Sequence, residues 1–178
     1  LAASRQLAEK AVAEALKQPD ATQQLFTVFS GGQSAPSAEW LRAAQELIAK
    51  VGNGEYSVQV ELRSSLELRG ALGAFAAQGE NGTPVIYLNA DWLQMGPDTA
   101  TIARVLAEEI GHSFDAVLNH NDTPGDEGDA FATQLFGGNP TDSQRLADSD
   151  QAMLTIDGTP VSVEEASLGP AGGPRQSG

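Results

Sequence analysis

Asp98 to Ala132 reads DTATIARVLAEEIGHSFDAVLNHNDTPGDEGDAFA, and the fold turns on how this stretch is interpreted. Pro97 and Asp98 supply a helix start, and Ile102, Val105, Leu106, Ile110, Phe114, Val117 and Leu118 recur at three- and four-residue steps, which predicts a long, mostly buried helix. A second face of that helix collects Glu108, His112, Asp115 and Asn119, with Glu109 one step around the cylinder. Gly111 sits in mid-helix, where it costs about 1 kcal/mol relative to alanine, so it calls for the close approach of another backbone.

Two readings of the polar stripe stand. Arg104, Glu108, His112 and Asp115 form either the solvated side of an amphipathic helix or one wall of a cation site, since Glu108 and His112, four residues apart, can grip one ion. The segment that follows favours the second. Asp122, Asp126, Glu127 and Asp129 gather around the start of another helix, where the dipole favours acids. Phe131 and Leu135 mark the buried side of that helix and Glu127 lies on it one turn earlier, so a carboxylate is aimed inward and needs a cation or a hydrogen-bond partner.

Around this centre the 178 residues are enough for one domain with a proper core, residues 1–166, followed by a glycine- and proline-rich linker, 167–178. A formal charge of -14 argues against nucleic acid and anionic lipid as partners and suits divalent cations. The absence of cysteine removes disulfide and thiol chemistry, and no apolar run approaches membrane-spanning length, so no membrane insertion is expected. The chain reads as a piece of a larger multidomain protein.

Leu1 to Lys17 predicts an alanine-rich helix, and Pro36 to Val51 a second one with Trp40, Leu41, Ala44, Leu47 and Ile48 inward. Phe26, Val28 and Phe29 form a short apolar cluster between them. Tyr56 to Leu62 alternates as a strand with one buried face; Leu72 to Ala77 is short and ambiguous, and the turn Gly79 to Gly82 leads into a strand from Pro84 to Asn89. Asp91 to Pro97 is the connector to the long helix. Thr141 to Asp150 is polar with a short helix, and Ala152, Leu154, Ile156, Thr159, Val161 and Val163 share one face of a hairpin turning at Asp157-Gly158.

Strand, connector, Glu-Glu-x-Gly-His helix, acidic loop and second helix together resemble the core of a zincin metallopeptidase of the gluzincin type. More narrowly, Ile86 to Asn89, Glu108 to His112 with Asp115, the Asp122-Thr-Pro-Gly-Asp-Glu-Gly run and the terminal hairpin are similar to a region of large bacterial hemolysin-type, RTX-adhesin calcium-binding surface or secreted proteins. The resemblance implies an α+β fold in which a small mixed or antiparallel sheet packs on a long buried active-site helix, with N-terminal helices and a C-terminal β-hairpin. It implies a divalent metal, zinc first with calcium or manganese as alternatives, held by Glu108, His112 and Glu127, with Asp126 and Asp115 as further donors. In the zinc peptidases, His-Glu-x-x-His supplies two ligands and a general base; here Glu108 replaces the first His, while Glu109 and His112 keep the base and ligand positions. Peptide hydrolysis would then use Glu109 as base on a peptide lying along the edge of the strand that carries Ile86, Tyr87 and Leu88. The alternative is a catalytically inactive structural or adhesion module, cation-stabilised, with a surface ligand instead of a substrate. Both imply a secreted or cell-surface location.

Overall fold

The computed structural model describes residues 1–30, 33–119, 127–136 and 151–166. Among these the helices are α1 (Ala2–Leu16), α2 (Ala21–Phe29), α3 (Ala38–Gly52), α4 (Ala90–Gln94), α5 (Thr99–Leu118) and α6 (Glu127–Phe136), and the strands are β1 (Gln59–Arg63), β2 (Gly73–Ala76), β3 (Val85–Asn89), β4 (Gln151–Ile156) and β5 (Thr159–Ala166). The fold is α+β with a mixed sheet. The sequence of α2 was expected only as an apolar cluster, and the ambiguous run at Leu72 is strand β2. The proposed short helix over 141–150 and the linker over 167–178 lie outside the described residues.

Helix starts follow local chemistry. Asp98 accepts the Thr101 backbone N–H at 2.8 Å and caps α5, and hydrogen bonds from the Thr101 side chain and from that N–H hold the Asp98 carboxyl below its usual range. Ser37 caps α3 on the Trp40 N–H at 3.0 Å, and Asn89 caps α4 on the Trp92 N–H at 2.9 Å while its amide donates to the Ala71 carbonyl. Asn89 thereby turns the chain directly from β3 into the connector that leads to α5.

The strands lie in the order β1-β3-β2-β5-β4. β1 runs parallel to β3 with Gln59 opposite Val85, and β2 runs antiparallel to β3 with Gly73 opposite Leu88. β5 closes on the other side of β2, pairing Phe75 with Glu164 and Gly73 with Ala166, and β4 completes the hairpin. One expectation is corrected here: Ile86, Tyr87 and Leu88 cannot offer a free edge to a peptide, because β3 is bonded on both sides. Val85 to Asn89 is buried throughout, as a continuous apolar run on an inner strand should be.

Residues opposite each other in a ladder share a face. Phe75, Ile86, Leu88 and Ala166 pack against Ile102, Val105 and Leu106 of α5 on one side of the sheet. Ala74, Ala76, Val85 and Tyr87 face the other way and meet Leu154, Ile156, Val161 and Val163 from the hairpin. Arg63, on outer strand β1, reaches Asp157 at the tip of the hairpin that carries the opposite edge, at 2.9 Å. Four strand spacings in a flat sheet would separate those edges by about 19 Å, so the sheet curls and the hairpin bends across its far face. The third cluster, around Phe29, Trp40, Leu47, Phe114 and Phe131, joins α2, α3, α5 and α6.

Candidate metal-binding site

α5 runs through the middle of the molecule, touching α1, α3 and α6 on its outer sides and β2 and β5 on its inner side. Enclosed in this way, the middle of the helix buries the acidic part of the stripe, with Glu109 0% exposed, His112 1%, Asp115 5% and Glu108 8%, while Arg104 is half-buried and Val117, expected inward, is exposed. The wet-face alternative is therefore overturned.

Three glycines make room for these side chains. A Cβ at Gly73 of β2 would stand 3.3 Å from both Cγ and Oε1 of Glu109, so the Glu109 side chain lies along the β2 backbone. A Cβ at Gly111 would meet the Gly128 Cα at 3.1 Å, which is the close backbone approach that a mid-helix glycine called for. At Gly128 itself a Cβ would fall 2.5 Å from the Glu108 carbonyl oxygen and 2.6 Å from Nε2 of His112. The first turn of α6 is thus seated directly on Glu108 and His112.

The opposite side of the imidazole faces the sheet. His112 Nδ1 lies 2.6 Å from Oε2 of Glu164 on β5, whose side chain is 22% exposed. Glu164 was not among the sequence candidates. Its alternation with Ser162 places it on the polar side of the hairpin, but nothing local reveals that this side meets α5, because the register with Phe75 brings it there.

The remaining candidates separate. Asp115 accepts a bond from the Asn119 amide at 2.6 Å, and Asn119 also donates to the Phe29 carbonyl, so Asp115 helps close the C-terminal end of α5. Asp129 pairs with Arg104 at 3.4 Å, while the same guanidinium donates to Thr133 at 2.7 Å. Ser113 bonds the Tyr56 hydroxyl at 2.7 Å, and burial raises the Tyr56 pKa, with that bond opposing. Glu127 is the first residue of α6, half-buried and adjacent to Gly128. Asp126, Asp122 and His120 lie outside the described residues.

The Glu108 backbone carbonyl and the His112 ring both lie against Gly128 in the first turn of α6, and an oxygen-rich donor set with one imidazole would suit calcium or manganese as well as zinc. The ligand set is not closed: among the described residues no three His, Cys, Asp or Glu side chains are arranged to hold a metal ion. No helix among them is long and apolar enough to cross a membrane. Searches of protein-family models, curated proteins and solved structures returned no match to this chain.

Proposed function

We propose that this domain is a catalytically inactive, zincin-like module of a larger secreted or surface bacterial protein, with Glu108, His112 and Glu127 holding a divalent cation that stabilises the fold. The observation that carries the inactive reading is the position of β5. A peptide hydrolysed by Glu109 would have to pair beside that residue, along the free side of β2, and β5 already occupies that side. Lifting the hairpin would expose Leu154, Ile156, Val161 and Val163, all now at 2% or less. At roughly 1.5–3 kcal/mol per aliphatic side chain that is about 6–12 kcal/mol, comparable to the whole stability of an ordinary domain. The strand is part of the core and does not act as a lid.

The cation part of the proposal rests on charge. Glu108, Glu109 and Asp115 are buried on the helix that carries His112, whose ring lies 2.6 Å from Glu164, and carboxylates in a largely water-free setting favour a hydrogen-bond partner, a bound cation or a bound proton. Peptide hydrolysis is the second reading, and one point favours it: Glu109 and His112 keep the spacing of general base and ligand on the buried side of one helix.

Thermal unfolding with calcium, manganese or zinc added to chelator-treated protein tests the first part. At about a hundredfold excess over Kd the midpoint should rise by roughly 5–10 °C, and Glu108→Gln should remove most of the rise. A midpoint indifferent to all three ions would sink the cation. For the second part, wild type and Glu109→Gln should give equal background rates on peptide substrates, with and without chelator. Chelator-sensitive hydrolysis lost in Glu109→Gln would replace this reading with the hydrolase.

A further inference from the structure

We infer that the domain carries a separate binding site for an anionic amphiphile with a single alkyl chain, of the class of a medium-chain fatty acid. The inference is independent of the cation reading. Its basis is a cavity of about 410 Å³ enclosed by α1, the turn after α3, β1 and α5, with none of the candidate cation ligands in its wall. That volume lies in the range of small-ligand pockets, whereas a well-packed interior leaves few voids larger than a water molecule.

The cavity has an apolar floor and a charged mouth. Ala8 and Val12 of α1, Val58 ahead of β1, Ile86 of β3 and Leu106 of α5 are buried in its wall. Glu9, Lys10, Gly54 and Ser57 are exposed and mark where it opens. The space exists because α1 presents Ala8 and Ala13 to it, where longer side chains would fill it. Beside the mouth, Arg5 Nη2 donates to the Val58 carbonyl at 2.8 Å and ties α1 to the segment entering β1. Gly54, at φ 73°, turns the chain out of α3 toward Tyr56. In a chain of formal charge -14, this mouth gathers Arg5 and Lys10 against the single acid Glu9. Arg5 bonds Glu9, Ser57 and Val58 through Nε and Nη2, and among the described residues Nη1 makes no such bond. An alkyl chain fits the floor, and a carboxylate left at the surface meets the two cations, the division of labour in which a few polar groups orient a mostly apolar ligand.

Titration calorimetry with decanoate and with decanol, both below the concentrations at which they aggregate, tests the site. Wild type should bind decanoate saturably at one site, about two- to fivefold tighter than decanol, the scale of an exposed ion pair. Lys10→Gln should shrink that preference and Glu9→Gln should enlarge it, with decanol affinity unchanged in both. Ala13→Phe sends a ring into the cavity from a half-buried position and should abolish binding of both ligands while keeping or raising the unfolding midpoint. Val60→Phe, on a strand where an aromatic is favoured, fills the same cavity from the opposite wall and gives the same readout should Ala13→Phe not fold. No saturable binding of either ligand would overturn the site, as would binding that survives in the filled variants. Equal affinity of wild type for decanoate and decanol would overturn the anionic class.

Discussion

On the far face of the sheet, Arg63 gathers Glu61 at 2.9 Å, Glu80 at 3.4 Å, Glu67 at 3.5 Å and Asp157 at 2.9 Å around a single guanidinium, and Tyr87 donates its hydroxyl to Glu80. On the helix face, Glu108, Glu109 and Asp115 are buried on the same helix as His112, whose ring meets Glu164 at 2.6 Å. Both clusters are acid-rich, but the far-face cluster has a permanent cation in the chain and the helix-face cluster has an imidazole. A guanidinium stays charged at any physiological pH. On the helix face, Gly73 lies against Glu109 and Gly128 against His112, and under the proposed function the variable charge there is a proton or a metal ion. The difference separates a strut from a site.

The sharpest way to break this comparison is to loosen the layer that closes the far face. Leu154→Ala removes a fully buried side chain of the hairpin and should destabilise the domain by about 2–5 kcal/mol, measured by denaturant unfolding. A loss below about 1 kcal/mol would mean that the hairpin is loosely held, and that β5 could leave β2 after all. Next in size, Gly128→Ala drives a methyl into the Glu108 carbonyl and the His112 ring, which should cost about 1–3 kcal/mol and weaken cation binding together. Gly73→Ala meets side-chain atoms of Val105 and Glu109 at 3.1–3.3 Å and should cost less. If the two glycine variants were equal, α6 would not be seated on the imidazole as described.

How much of this could be read in advance follows from the range of the interactions. α5 was legible because its apolar period and its Asp98 cap are local, and Gly111 announced a neighbour even without naming Gly128; whether the polar stripe was wet or buried was left open, because its burial depends on distant elements. The hairpin turn at Asp157-Gly158 was equally plain, with Asp157 at φ 50° and Gly158 at φ 80°. β3 was correctly a strand but wrongly an edge. Its partner β1 comes from earlier in the chain and pairs in parallel, and nothing between them in sequence encodes that pairing. Glu164 was invisible for the same reason: its proximity to His112 depends on a sheet register fixed fifty residues away from the helix.

A smaller effect tests the strut. Arg63→Ala should lower the unfolding midpoint by roughly 2–4 °C at neutral pH, the scale of partly screened ion pairs. Arg63 bonding holds the Asp157 carboxyl low. For Glu80, burial acts upward but is outweighed by the bonds from the Tyr87 hydroxyl and its own backbone N–H, so it too lies below its ordinary value. Burial and the neighbouring Glu80 push the Tyr87 hydroxyl upward. Carboxyls depressed in the folded state stabilise it fully above their unfolded values near 4 and lose that contribution as pH falls through the folded values. The gap between wild type and Arg63→Ala should therefore narrow on acidification below about pH 4. A gap independent of pH would assign Arg63 a packing role instead.

The smallest predicted effect has the opposite sign. Glu165 shares the face of Ala74, opposite to its neighbour Glu164, and burial raises its carboxyl pKa while the charge of Arg69 pulls it back. A carboxyl whose folded pKa is raised favours the folded state while protonated, and that contribution is lost as pH rises through the folded value. Glu165→Gln should thus stabilise slightly once pH has risen through the folded value, by no more than about 1–2 °C since the group is half open to water, and the gain should vanish on acidification below the unfolded value near 4. Glu164→Gln, one residue away on the other face, removes the carboxylate beside His112 and should show no such gain. Equal behaviour of the two variants across pH would mean that the register placing Glu164 on the helix and Glu165 away from it does not hold, and both the strut and the site would have to be redrawn.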